Sequence, residues 1–273
     1  MGVYDKIFKP VTYTLENGKT VQKKASRAPL VVIILLAMTV LSVRITGFNF
    51  KTLAERGGQF FKMLQDMFPP KWSYMNKIWR PLSDTIKMSL LGSVVGAVLS
   101  IPFAMLASTN VVKNRVVVSV TRVFFSLVRT LPTLVIALVA TYIWGLGTLA
   151  GTIAIGVFSF AYMGKILYEE IETVDMGSFE AMEAMGATKV RAFITAIIPQ
   201  VMPSFLSNSL FNFEGNVRYA AILGYVGAGG LGLILNEKVG WREYPSVGMI
   251  LIALYVTVFF IETISRAIRR RLV

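Results

Sequence analysis

Glu214 and Arg218 are the first residues in this chain whose types and spacing could do chemistry. They stand four positions apart between uncharged runs, which puts them on one helix face with the acid amino-terminal to the base. Charges flanked by such runs belong to a protein interior or an aqueous cavity, where they are paired. Two readings follow: a structural ion pair at the outer end of a span, or a pair that Arg218 leaves to meet an anion near an outer gate. Arg129 is the other candidate. Counted from Val116 at ~1.5 Å per residue it lies about 20 Å along a helix, just before Pro132, which removes a backbone donor and kinks the chain. A solute pathway and a structural role are both open for it. Enzymatic chemistry has little to work with, because the chain has no histidine and no cysteine, and so lacks the usual general base, metal ligand, pH switch and thiolate.

A second constellation is the charged segment 169–191, which holds six of the chain's 15 acidic residues: Glu169, Glu170, Glu172, Asp175, Glu180 and Glu183. Within it, Glu180-Ala181-Met182-Glu183-Ala184-Met185 reads as a short helix, with Ser178 as its amino-terminal cap and acidic residues beside the positive end of the dipole. Gly186 then ends the helix in a left-handed conformation. Such a helix, with alanine and methionine on one side, suits a partner's groove. A solvated loop is the alternative.

The elements that position these residues are membrane spans. Of 273 residues, 55% are apolar and only 16% charged, against about a quarter charged in soluble domains. Six uncharged stretches run over 28–43, 88–112, 130–164, 192–213, 219–236 and 244–261, and a spanning helix needs roughly 20 residues. The expectation is an all-α membrane protein with spans near 28–47, 85–109, 116–143, 147–168, 195–217 and 245–266. The first run is read as an uncleaved helix rather than a signal peptide. The third and fourth spans are cut at Trp144-Gly145-Leu146-Gly147.

The net charge of +13 would suggest nucleic acid in a soluble chain, but basic residues flanking spans set topology, so no nucleic-acid partner is expected. That rule places 1–27, 110–115, the loop 169–191 and the tail after Ser265 in the cytoplasm. Segment 48–84 falls outside, as an amphipathic stretch on the lipid surface, ahead of a five-helix core over 85–268. Gly92, Gly96 and Ser100 form a small-xxx-small stripe, suited to packing within the chain or to a seam with another. Gly224 to Gly232 must break the fifth span, since one helix from Phe193 to Leu235 would run roughly 65 Å. Gly227, Gly229 and Gly230 then form an outer turn whose amides could meet an anion or pack on a neighbouring helix.

The spacing of Glu180-Ala181-Met182, Gly186 and Ile198-Pro199 resembles the EAA loop of ABC-importer permeases, with Met182, Ala196 and Ile198 as apolar replacements of that pattern. The resemblance implies a type I permease fold whose coupling helix (Glu180, Ala181, Met182, Glu183, Met185, Gly186 and Ala187) docks a cytoplasmic ATPase dimer. The chain has no G-x-x-x-x-G-K-[ST] loop, so ATP and magnesium fall to that partner and no cofactor is expected here. Phe213-Glu214-Gly215-Asn216-Val217-Arg218, the string Ile222 to Gly232, and Val128-Arg129-Thr130-Leu131-Pro132 resemble phosphonate-importer permeases. This implies uptake of phosphonate, phosphate or phosphite across the plasma or inner membrane. It also implies a binding protein, a second and identical permease chain, and Arg129, Glu214, Asn216, Arg218, Gly227, Gly229 and Gly230 on the pathway or gate. A permease for methionine or another small metabolite is the alternative within the family; a secondary transporter is the alternative outside it.

Overall fold

The structure, a computed structural model, describes residues 11–14, 18–23 and 27–272. It divides into two compact units, residues 1–62 and 63–273. The first holds a small hairpin that an all-helical expectation does not include. In it β1 (Val11–Thr14) runs antiparallel to β2 (Thr20–Lys23), with Val11 opposite Lys23. Helix α1 (Ala28–Ile45) starts with proline in its first turn and buries none of its residues, as an all-round apolar helix in lipid would. The next helix, α2 (Phe50–Asp66), also buries no residue, and Asn49 Oδ1 caps it by accepting the Lys51 N–H at 2.9 Å.

The second unit is the helical bundle: α3 (Met75–Ala107), α4 (Arg115–Thr130), α5 (Thr133–Trp144), α6 (Thr148–Ile171), α7 (Gly177–Ala184), α8 (Lys189–Ala192), α9 (Ile198–Leu223), α10 (Leu231–Gly240) and α11 (Tyr244–Leu272). Among the described residues, five helices are long and apolar enough to cross a membrane, and six if α4 and α5 count as one bent span. The chain is a multi-pass membrane protein.

Three expected spans differ from the observed helices. The second starts at Met75, not near 85: Lys77, Arg80 and Asp84 lower its hydropathy, yet Tyr74, Ile78, Leu82, Thr85 and Ser89 keep one buried face in helical register. The third is no continuous helix. Leu131 is extended at ψ 120°, as a residue before proline must be, and α4 and α5 meet at 85°. The fifth starts earlier and ends later. A π-helical turn over Phe193–Ile197 precedes α9, where Pro199 lacks the N–H that α-helical bonding would require.

The expected breaks elsewhere occur where the glycines stand. Helix α5 ends at Trp144, with Gly145 at φ 87° and Gly147 at φ 140°. Helix α9 ends at Leu223, and Gly227, Gly229 and Gly230 all take positive φ before α10 begins. The small-residue stripe of α3 is used inside the chain: a Cβ on Gly96 would lie 2.4 Å from the Gly156 carbonyl oxygen, and one on Gly92 2.8 Å from that of Thr152. That close approach of α3 to α6 forms the centre of the bundle.

Candidate functional site

The loop between α6 and α9 folds as the sequence suggests, apart from its cap. Ser178 lies inside α7, and Met176 occupies the cap position without a side-chain bond. Asp175 Oδ1 accepts the Gly177 N–H at 3.0 Å instead. At the other end Gly186 has φ 88°. The Ala187 N–H reaches the Met182 carbonyl at 3.0 Å and the Gly186 N–H that of Glu183 at 2.9 Å, a paired closure that requires the left-handed residue. Phe179, 2% exposed, anchors α7 in a cluster with Leu167, Ile171, Phe193 and Ile197, against which Met182 also packs. Burying such a side chain contributes about 1.5–3 kcal/mol. With that face anchored, Glu180, Ala181, Ala184, Met185 and Gly186 are exposed, and Met185 keeps 78% of its surface.

Beneath α7 lies a polar node that no local spacing reveals. Glu172, at the end of α6, accepts the Thr109 N–H at 2.8 Å, the Thr109 hydroxyl, and Arg122 Nη2 at 2.5 Å. Arg122 also donates Nε–H to the Ala107 carbonyl at 2.8 Å and stacks 4.8 Å from the Tyr168 ring centre. Burial works against the Glu172 carboxylate, but the two Thr109 donors and the Arg122 guanidinium prevail and hold its pKa below the usual glutamate value. Nearby, Asn110 Nδ2 donates to the Ile171 carbonyl at 2.7 Å and Lys189 Nζ to that of Val111 at 3.3 Å. The α3–α4 turn is thereby bound to both ends of the exposed loop.

Helix α9 carries the second constellation. Its polar residues Ser204, Asn208, Asn212 and Asn216 recur every four positions, a stripe that helical periodicity could have exposed. Ser204 and Asn208 donate to Glu170 Oε1 at 2.6 and 2.8 Å. Asn212 and Asn216 both donate to Ser159 Oγ at 2.9 Å, and Asn216 Nδ2 also to Ser93 Oγ at 2.8 Å. Asn216 thus ties α3, α6 and α9 together while being 2% exposed.

Glu214, 4% exposed, is held from two sides. Arg218 Nη2 meets its Oε1 at 2.5 Å, and Arg269 Nη2, from the last turn of α11, lies 3.6 Å from its Oε2. Arg269 also sits 5.5 Å from the Phe211 ring centre. In the sequence Arg269 reads as one of a basic tail; the structure continues α11 through Leu272 and brings this arginine to the acid. The cluster is not at the end of a span, since Glu214 precedes the last residue of α9 by about 13 Å at 1.5 Å per residue. A cavity of about 370 Å³ lies beside it, lined by Phe158, Tyr162, Phe211, Asn212, Gly215, Asn216, Arg218 and Tyr219. Arg218, half-exposed, is its cation.

Arg129 and the glycine turn are not brought to this cavity. Arg129 is exposed at the end of α4. Gly227 accepts the Gly147 N–H at 2.9 Å, a Cβ on Gly229 would stand 2.9 Å from Thr148 N, and one on Gly230 2.5 Å from Thr85 Oγ1. The Leu231 N–H is taken by that same hydroxyl at 2.8 Å. The turn is packed against the start of α6 and against α3.

The helix arrangement has known counterparts. It superposes on a chain of the inward-facing MetNI methionine ABC transporter with TM-score 0.66 at 21% identity, over 74% of this chain and 99% of that one. This is the type I permease fold of ABC importers. In sequence, the chain is 34% identical over 208 residues to the phosphate-import permease protein PhnE of Mycolicibacterium smegmatis, covering 76% of this chain and 39% of that protein. It is 33% identical over 205 residues to the phosphite transport system permease protein PtxC of Stutzerimonas stutzeri, covering 75% and 74%. The chain thus spans well under half of the first relative and about three quarters of the second. A family match over residues 100–273, more than half of the chain, is decisive: the chain belongs to the binding-protein-dependent transport system inner membrane components.

Proposed function

We propose that this chain is the membrane-spanning subunit of an ATP-driven importer for phosphonate or a related phosphorus oxyanion, phosphate or phosphite. The observation that carries the substrate class is Arg218. It is half-exposed at a cavity in the bundle, on a buried carboxylate that also faces a second arginine. Arginine's planar fork matches the oxygens of a phosphorus oxyanion. Curated relatives named for phosphate and phosphite transport support the same class.

In this reading a binding protein delivers the solute from outside, and two permease chains, identical copies, enclose its path. Each exposed α7 seats in one cytoplasmic ATPase, with Glu180, Ala181, Met182, Glu183, Met185, Gly186 and Ala187 at the contact. Both termini are cytoplasmic, and the part of segment 48–84 that precedes the second span is extracytoplasmic. ATPase closure moves α7, and the Glu172–Arg122–Thr109 node passes the displacement to α3 and α4. Arg129, Glu214, Asn216, Arg218 and the turn at Gly227, Gly229 and Gly230 belong to the pathway and its gate.

The test is ATP-dependent uptake of labelled phosphite, phosphate and methylphosphonate by proteoliposomes holding the permease, its ATPase and its binding protein. Arg218→Ala is expected to lower uptake at least ~tenfold, about 1.4 kcal/mol, in a complex that still assembles. Undiminished uptake would show that Arg218 has no part in transport.

A further inference from the structure

The cluster around Glu214 has an unequal charge count. One buried carboxylate faces two guanidinium groups, Arg218 on its own helix and Arg269 on α11, and arginine stays protonated in proteins. Among the described residues neither arginine has another carboxylate within 4 Å. The cluster therefore carries one net positive charge. Its hydrogen bonding is also incomplete, since neither Glu214 Oε2 nor Arg269 Nε has a hydrogen-bond partner among the described residues, although both atoms are buried. A purely structural pair would need one arginine, and bringing a second, partly buried one adds a desolvation cost.

Resting on the oxyanion-importer reading above, we infer that Glu214, Arg218 and Arg269 form an anion site that selects singly charged tetrahedral oxyanions over doubly charged ones. Glu214 occupies Arg218 until a solute oxygen replaces it. Arg269 then keeps Glu214 paired, so that Arg218 turns its fork to the cavity without stranding a buried carboxylate. A monoanion brings the group of four charges to zero. A dianion leaves one negative charge in a poorly solvated place, where uncompensated charge is costly. Arg269 is a positioning residue here: it acts on the solute through Glu214.

The test uses the complete permease–ATPase complex in detergent and two radiolabelled probes of fixed charge, methanesulfonate as monoanion and sulfate as dianion. The wild-type complex is expected to bind methanesulfonate at least ~tenfold more tightly than sulfate, about 1.4 kcal/mol. Glu214→Gln raises the net charge by one and shifts this ratio toward sulfate at least ~tenfold, about 1.4 kcal/mol. Adding Arg269→Gln to that variant restores one net charge, and the ratio returns toward the wild-type value. Equal binding of both probes, binding of neither, or a ratio unmoved by Glu214→Gln in a complex that co-purifies intact overturns the inference, because a merely structural ion pair predicts no change in preference. Phosphite uptake by the same preparations separates the two levels. ATP-driven uptake without the charge preference sinks only the site, whereas no ATP-driven oxyanion uptake at all sinks the importer reading beneath it.

Discussion

Asn216→Ala tests the seam that holds the bundle together. The Asn216 side chain donates to Ser93 on α3 and Ser159 on α6 at 2.8 and 2.9 Å and is almost fully buried. Hydrogen bonds between membrane helices contribute about 0.6 kcal/mol on average and at most about 1.7, so two of them are worth about 1–3 kcal/mol. Ser159 keeps a donor in Asn212, whereas Ser93 loses its interhelical partner, so the estimate falls in the middle of that range, at about 2 kcal/mol. The assay is reversible unfolding in mixed micelles with increasing denaturing detergent, followed by circular dichroism. A double-mutant cycle with Ser93→Ala should return a coupling of about 0.6 kcal/mol. A loss below about 0.3 kcal/mol with no coupling would refute the account of Asn216 as an interhelical tie. Unchanged stability with abolished uptake would place its role on the solute instead.

Three further outcomes follow from the geometry. Gly186→Val meets no heavy atom within 4 Å but must hold φ 88°, which costs about 1–2 kcal/mol for a side-chain-bearing residue; the α7 closure should fray and co-purification of the ATPase weaken, while the isolated permease stays folded. Gly96→Ala places a methyl 2.4 Å from the Gly156 carbonyl oxygen and 2.7 Å from Ser159 Cβ, an overpacking that should lower stability in detergent by about 1–3 kcal/mol, read as a lower midpoint of thermal aggregation. Glu172 has a depressed pKa in the folded chain, so its contribution is present above the unfolded glutamate pKa and is lost as pH falls through the lower folded value; Glu172→Gln should flatten that acidic limb of the stability curve, and a limb of unchanged steepness would assign it to other carboxylates.

Much of the fold was legible because lipid imposes a length and a composition on each span. The break at Trp144 to Gly147 and the turn after Leu223 follow from glycine, and the turn at Gly186 was legible for the same reason. The bounds of α3 were harder to read, because a hydropathy run stops at Lys77, Arg80 and Asp84 while the buried helical face continues past them to Tyr74. At Pro132 the sequence suggested a kink, but the 85° turn depends on how α5 packs against α6.

For the functional residues the division is one of range. Glu214 with Arg218, and the loop from Glu180 to Gly186, are local patterns, and local spacing determines which side chains share a helix face. The sequence by itself therefore determined a multi-span helical chain with an acid–base pair on one face of a long helix and a short exposed helix between two spans. Only the tertiary structure decided that the small-residue stripe of α3 packs on α6 of the same chain. It also decided that Arg122 serves Glu172, and that Arg269, in a basic tail that reads as a topology signal, reaches Glu214. Those partners lie 50 or more residues apart in the chain, and a contact over that distance is set by how helices cross, which no periodicity within either helix encodes.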